Sequence, residues 1–215
     1  MQQFNFEVLG VQAYQKVWDL QKELVQKVTH EGHQNTILLC EHLPVYTFGK
    51  SANRENLLVT DDKLKEIQAE VFEIERGGDI TFHGPGQLVG YPILHLHKLN
   101  MGVKKYVWSL EEALIRTLRI FGIETKRIDS LTGIWLSNGE ERKIAAIGIK
   151  VSRGVTMHGF ALNVNTDLSY FDYMVPCGIE DKDVTSMELE LGGKCNMSEV
   201  VNEFKNQFTS VFSLI

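Results

Sequence analysis

The chain has 215 residues, 43% of them hydrophobic and 23% charged, with a formal net charge of −6 at pH 7. That length suits one domain spanning residues 1–215 around a substantial core. No run approaches the roughly eighteen consecutive apolar residues of a membrane span, and the acidic balance argues against nucleic acid as a partner, because such binding needs clustered cations.

The opening MQQFNFEVLG has neither a basic stretch before an apolar block nor an arginine-rich amphipathic pattern, so a cytoplasmic location is expected. Cys40, Cys177 and Cys195 are odd in number and lack C-x-x-C spacing, which argues against a disulfide framework and a zinc knuckle. Arg142 with Lys143, Lys150 with Arg153, and Lys104 with Lys105 are candidate basic patches; solvated surface charge explains each pair equally well.

In chain order, Phe4 to Leu9 reads as extended, and Ala13, Val17, Leu20, Leu24 and Val28 mark a helix with one buried stripe. Thr36 to Cys40 and Val45 to Phe48 read as strands, with His42 at the bend between them. Asp61 and Asp62 are candidate caps for a short helix reaching Ile67, and Val71 to Ile74 reads as a strand. Gln87 to Leu96 is extended. Val103, Val107, Leu110, Leu114, Leu118 and Phe121 form the clearest helical stripe, expected to cover a sheet. From Glu124 to Val164 the pattern is strand-like, turning at Asn138-Gly139 and Arg153-Gly154. Val200, Phe204, Phe208 and Phe212 mark a terminal helix with Ser198 as its cap. Helices mixed with hairpins predict an α/β or α+β domain whose sheet is mixed and largely antiparallel.

Between Arg76 and Tyr91 lie five glycines, Pro85 and His83 within sixteen residues. Glycine gives up much backbone freedom on folding, so such a cluster marks close backbone approach or positive φ. A gripping loop and a hairpin with polar ends both fit. The order is neither G-x-G-x-x-G opening a long helix nor a P-loop, so the usual nucleotide loops are absent.

Cys177 sits in Val175-Pro176-Cys177-Gly178, where proline fixes one side of a turn and glycine frees the other. That setting suits a presented nucleophile and equally a buried, inert thiol. Cys40, in an aliphatic strand, and Cys195, in a polar loop, read as inert. Among the histidines, His95 and His97 are expected on one face of a strand, without a recognisable further metal ligand. His158 fits a cleft or a satisfied core position. The run Lys143-Ile-Ala-Ala-Ile-Gly-Ile-Lys150 carries small residues where a strand favours large ones, so a ligand or another backbone is expected to pass there. Lys143 alone reads as an exposed residue at a strand start.

RGGDITFHGPGQLVGYP, KIAAIGIKVSRGVTMHGFALNVNTDLSYF and VPCGIEDKDVTS, in this order and spacing, resemble the octanoyl-carrier-protein:protein octanoyltransferases, also called lipoyl(octanoyl) transferases. EHLPVYTFG at 41–49 and ENLL at 55–58 add to the likeness, which covers about residues 37–187. The resemblance implies the mixed-sheet fold of biotin and lipoate ligases. It implies acylation of Cys177 assisted by Lys143, 34 residues earlier. It also implies a substrate site from Arg76, Gly77, Gly78, Asp79, Ile80, Thr81, Phe82 and His83, with Ala146, Ile147 and Gly148, and with Gly159, Phe160 and Ala161. Asp79 departs from the amide or other polar residue that members often carry there.

The implied donor is octanoyl-acyl carrier protein. The implied acceptors are apo lipoyl domains, those of 2-oxoacid dehydrogenase E2 subunits and the glycine cleavage H protein. Cys177 would take the octanoyl group as a thioester and a lipoyl-domain lysine would then remove it as an amide, with no metal or nucleotide cofactor. His83 and backbone amides near Gly148 and Gly178 are expected to steady the oxyanion, and Arg142, Lys143, Lys150 and Arg153 to form a cationic rim for acidic partners. An ATP-dependent ligase and a non-catalytic carrier-binding module are the rival classes.

Overall fold

The computed structural model describes residues 4–30, 32–137, 139, 141–175 and 183–213. A strand β1 (Asn5–Gln12) leads through helix α1 (Tyr14–His30) to strand β2 (Thr36–His42), and β1 and β2 pair in parallel. Next come β3 (Val45–Phe48), helix α2 (Asp61–Glu66), β4 (Glu70–Glu73), β5 (Ile80–His83) and β6 (Gln87–Ile93). Helix α3 (Val103–Ile120) precedes β7 (Thr125–Ile128), β8 (Leu131–Leu136), β9 (Lys143–Ser152) and β10 (Val155–Asn163). Helices α4 (Met187–Leu191) and α5 (Met197–Ser213) follow.

The strands form a large sheet in the order β1-β2-β6-β10-β9-β8-β7 and a small one in the order β4-β3-β5. Within the large sheet only β1–β2 is parallel, so the expected mixed, largely antiparallel sheet flanked by helices is what the chain builds. Alternation along β2 sorts its side chains. Ile37 and Leu39 join a core with the stripes of α3 and α5, while Leu38 and Cys40 pack with Val17, Leu24 and Val28 of α1. Burying one such aliphatic side chain is worth about 1.5–3 kcal/mol, so both helical layers are held by their apolar stripes.

The small sheet is an excursion from a hairpin. Strands β2 and β6 are neighbours, and all of β3, β4 and β5 lies between them in sequence. Return to the large sheet takes one turn, Gly84-Pro85-Gly86. Gly86 has φ 80°, and an added methyl would collide with the Asn165 carbonyl, so only glycine fits. Its N–H donates to the Glu41 carboxylate at 2.7 Å.

Several local expectations change. Thr60, not Asp61 or Asp62, caps α2, because its hydroxyl accepts from Lys63 N; the two aspartates occupy the first turn, where negative charge suits the helix dipole. Asn196 takes the capping role expected of Ser198, accepting from the Ser198 N–H at 3.0 Å. His95 and His97 do not share a strand face, because a 3-10 turn at Leu96–Leu99 takes over after His95. Strand β7 falls within the stretch read as strand-like, whereas helix α4 has too little periodicity to stand out in the sequence. Asn138 lies outside the described residues.

Candidate active site

A cleft of about 770 Å³, counting its open mouth, lies between the two sheets. Val89, Tyr91, Gly159 and Ala161 line it from the large sheet, and Ile80, Thr81, Phe171 and Met174 from the small-sheet side. The run from Lys143 to Gly148 along β9 edges it for roughly 17 Å at strand rise, longer than an extended eight-carbon chain.

Arg76 joins the two sheets. Its guanidinium donates to the Thr47 carbonyl at 2.7 Å and to the Thr47 hydroxyl at 3.1 Å, both on β3. The next residue, Gly77, donates its N–H to the Ile149 carbonyl of β9 at 3.0 Å. The glycines permit this nesting, since a Cβ on Gly49 would overlap the Gly78 carbonyl. Asp79 accepts from Asn56 Nδ2 at 2.6 Å and from the Ile80 N–H at 2.7 Å, so its carboxylate is a loop fastener beside the cleft.

Lys143 is half-buried rather than fully exposed, because β8 provides a bed for it. Gly133 leaves room for its methylenes, and its ammonium lies 4.6 Å from the Trp135 ring centroid, a cation–π distance. Its backbone is fixed from the far side. Lys143 N donates to Asp183 O and Thr185 N donates to Lys143 O, each at 2.9 Å. Cys177 lies outside the described residues, as do Pro176 and Gly178. The flanking residues are described: Val175 N donates to Asn56 O at 2.8 Å, and Met174 and Val184 both line the cleft.

Of the other expected site residues, Arg76, Gly77, Gly78, Asp79, Ile80, Thr81, His83, Ala146, Ile147, Gly148, Gly159, Phe160 and Ala161 come together at this cleft. Phe82 does not line it. Strand alternation turns its ring into the small sheet's core, stacked on Tyr170 at 4.5 Å. The Phe160 ring likewise packs on Phe204 at 4.6 Å on the opposite face, so its contribution to the cleft is main chain.

Further polar groups line the cleft or stand behind its wall. His42 Nε2 lies 2.7 Å from the Tyr91 hydroxyl, and its Nδ1 lies 3.1 Å from the Gln12 carbonyl. Since that carbonyl only accepts, Nδ1 carries the proton and the tyrosine donates to Nε2. Tyr14 lies parallel to His83 with centroids 6.3 Å apart. Burial holds Tyr14 and Tyr91 above the ordinary phenol range, so both are neutral. Burial also lowers His42 to about 4 and, with His42 next in size, His83 to about 3. His158 falls to about 3 through burial and then Arg76. It adopts φ 59°, its N–H donates to Gln21 Oε1 at 2.9 Å, and it lines the cleft as a neutral ring. Of these, His83 and His158 are marked by the sequence, His42 and Tyr91 stand within EHLPVYTFG and RGGDITFHGPGQLVGYP, and Tyr14 has no marker.

Of the expected cationic rim, Lys143 lines the cleft, and two of the other three residues are paired with carboxylates. Arg142 pairs with Glu190 at 2.6 Å and Lys150 with Glu75 at 2.6 Å, while Arg153 sits 3.4 Å from His30. Among the described residues no cluster of histidine, cysteine and carboxylate is arranged to hold a metal ion, and no helix is long and apolar enough to cross a membrane. Cys40 is buried in β2, which raises its thiol above the usual range.

The lipoyl protein ligase A/B catalytic domain family matches residues 13–209. An octanoyltransferase of Bacteroides thetaiotaomicron is 53% identical over 87% of this chain and 86% of its own. One from Cytophaga hutchinsonii is 47% identical over 97% of this chain and 92% of its own. Among solved structures, a lipoate protein ligase from T. acidophilum with bound lipoic acid superposes with TM-score 0.77 at 16% identity, covering 97% of this chain and 86% of that one; the likeness is one of fold. The cleft between two sheets, the glycine-rich segment on its edge and these identities lead to one conclusion: the chain belongs to the octanoyltransferase family of acyltransferases, within the lipoyl protein ligase A/B catalytic domain family.

Proposed function

We propose that the protein takes an octanoyl group from octanoyl-acyl carrier protein onto Cys177 as a thioester and passes it to a lysine of an apo lipoyl domain as an amide. The observation that carries this reading is the position of Lys143 at the end of an apolar cleft, with its backbone tied to Asp183 and Thr185, just beyond the segment that holds Cys177.

In the first step the Cys177 thiolate attacks the donor's thioester carbon, the donor's C–S bond breaks, and the pantetheine sulfur leaves as a thiol with a proton from the Lys143 ammonium. Lys143 as a cation favours the thiolate. In the second step the acceptor amine attacks, the C–N bond forms and the C–S bond breaks; Lys143 in its neutral form takes a proton from nitrogen and returns it to sulfur. Walls such as Ile80, Ala146, Ala161 and Met174 suit the octanoyl chain, each buried methylene contributing about 0.8 kcal/mol. With Arg142 and Lys150 each paired to a carboxylate, general attraction for acidic partners is reduced, and recognition rests on shape and specific pairs more than on net charge.

The test is intact-protein mass spectrometry after mixing with octanoyl carrier protein without ATP, for wild type and Cys177→Ser. A hydroxylamine-labile octanoyl adduct on wild type alone supports the reading. An unmodified wild type that instead activates free octanoate with ATP establishes a ligase.

A further inference from the structure

His83 is tied to Lys143 by hydrogen bonds whose directions can be worked out from fixed carbonyls. Thr185 N donates to Lys143 O at 2.9 Å, and the Thr185 carbonyl, which can only accept, receives Asn163 Nδ2 at 2.9 Å. Asn163 must therefore present its oxygen to Gln87, and Gln87 Nε2 donates to it at 2.9 Å. The same Nε2 donates to the Phe82 carbonyl at 3.2 Å, a second fixed acceptor. Flipping either amide would set oxygen against oxygen. Gln87 Oε1 is left facing His83 Nδ1 at 2.8 Å, so Nδ1 must carry the proton. Every side chain in this relay is buried.

The neutral ring then has a lone pair on Nε2 and no hydrogen to donate from it. Burial first, and then the proximity of His42, Arg76 and His158, resist a second proton on it. Donation to a substrate oxygen, the role expected from the sequence, is therefore closed to His83. What remains is acceptance. In the proposed reaction the attacking nitrogen is the donor whose N–H groups grow more acidic as the bond forms, so a fixed acceptor stabilises that transition state more than the ground state.

We propose that His83 is a catalytic residue whose Nε2 accepts one N–H of the attacking lysine amine and aims the nitrogen lone pair at the acyl carbon, with Gln87 and Asn163 as positioning residues. This rests on the transferase reading above. The C–N bond forms, the C–S bond breaks, and the amine proton travels to sulfur by way of Lys143; His83 retains none.

Two measurements test it. Long-range ¹H–¹⁵N spectra of histidine-labelled wild type, with His83 assigned by its disappearance in His83→Gln, should show a neutral Nδ1–H ring from pH 5 to 8. An Nε2–H tautomer, or titration within that range, overturns the assignment whatever the enzyme does. The two half-reactions of wild type and His83→Gln are then timed separately. Amide formation from the acyl-enzyme should fall about 10- to 100-fold more than thioester formation, the scale of one hydrogen bond to a charged partner. Equal loss in both steps, or greater loss in the first, places His83 on the donor and ends the proposal. A wild type that never forms the thioester ends the transferase reading instead, and leaves the spectra to judge the tautomer.

Discussion

Gly148 lies flat against Arg76: a methyl at position 148 would stand 3.0 Å from Arg76 Cδ and 3.1 Å from the Gly77 carbonyl. Directly across the ladder, Gly159 pairs with Gly148, and a methyl there would run into the Gly90 carbonyl. The arginine can give by a few tenths of an ångström, whereas a main-chain carbonyl in the middle of a sheet cannot. Gly148→Ala should therefore retain stability within about 1 kcal/mol while lowering octanoyl transfer by displacing Arg76, and Gly159→Ala should cost about 1–3 kcal/mol as an overpacked site does. Urea unfolding with transfer assays on both variants checks this, and equal destabilisation by the two would contradict it.

Lys143 rests on Gly133 and Trp135, so its methylenes and its charge can be separated by substitution. Lys143→Met keeps an unbranched side chain on the indole and removes the ammonium. The expected result is a near-native unfolding midpoint with transfer reduced by about 10²-fold or more. An active Lys143→Met protein would remove the lysine from the mechanism.

Three buried rings make stability depend on pH. His42, His83 and His158 have folded values of about 4, 3 and 3, below the unfolded value near 6.5. Above pH 6.5 both states are neutral at these positions and no penalty applies. As pH falls from 6.5 towards 4 the unfolded chain takes up protons that the folded chain resists, and stability is lost. Each ring contributes up to roughly 2 kcal/mol of loss at pH 5. Urea midpoints should fall between pH 7 and pH 5 with an unchanged slope, and a flat profile would refute the account.

Arg142 and Glu190 form a two-pronged pair, at 2.6 and 3.3 Å, which the Thr185 hydroxyl joins. Glu190 is nearly buried and Arg142 about a quarter exposed, so solvent screens part of the attraction. Arg142→Met or Glu190→Gln alone should cost about 1–3 kcal/mol by stranding the partner, and the double variant less than the sum. A double-mutant cycle with zero coupling would reduce the pair to a surface contact.

Periodicity made the long elements legible, because α1, α3 and α5 each bury a stripe and β2, β9 and β10 are long enough to show their pattern. It marked the stretch containing β7, four residues at a sheet edge, as strand-like without giving its bounds, and it had no purchase on α4, five residues after a loop. The glycine-rich segment announced a close approach without saying that Ile80–His83 within it is a strand of a second sheet. Phe82 and Thr81 are adjacent in sequence, yet one enters the small core and the other the cleft, a distinction set by register. Gln87 and Asn163 look ordinary in sequence, since their importance comes from being opposite each other in β6 and β10.

The small sheet interrupts the β2–β6 hairpin and is fastened back to the large sheet and to α1 at several points: the Gly77–Ile149 main-chain bond, the Glu75–Lys150 pair, the His83–Gln87 bond and the packing of Tyr14 on Val45 and Ile74. Fastened in this way, the two sheets open together rather than one by one. The relay crosses between the sheets, because His83 stands on β5 of the small sheet while Gln87 and Asn163 stand on β6 and β10 of the large one. Any change in the spacing of the sheets therefore moves His83 relative to Lys143, which ties the width of the cleft to the geometry of its polar groups.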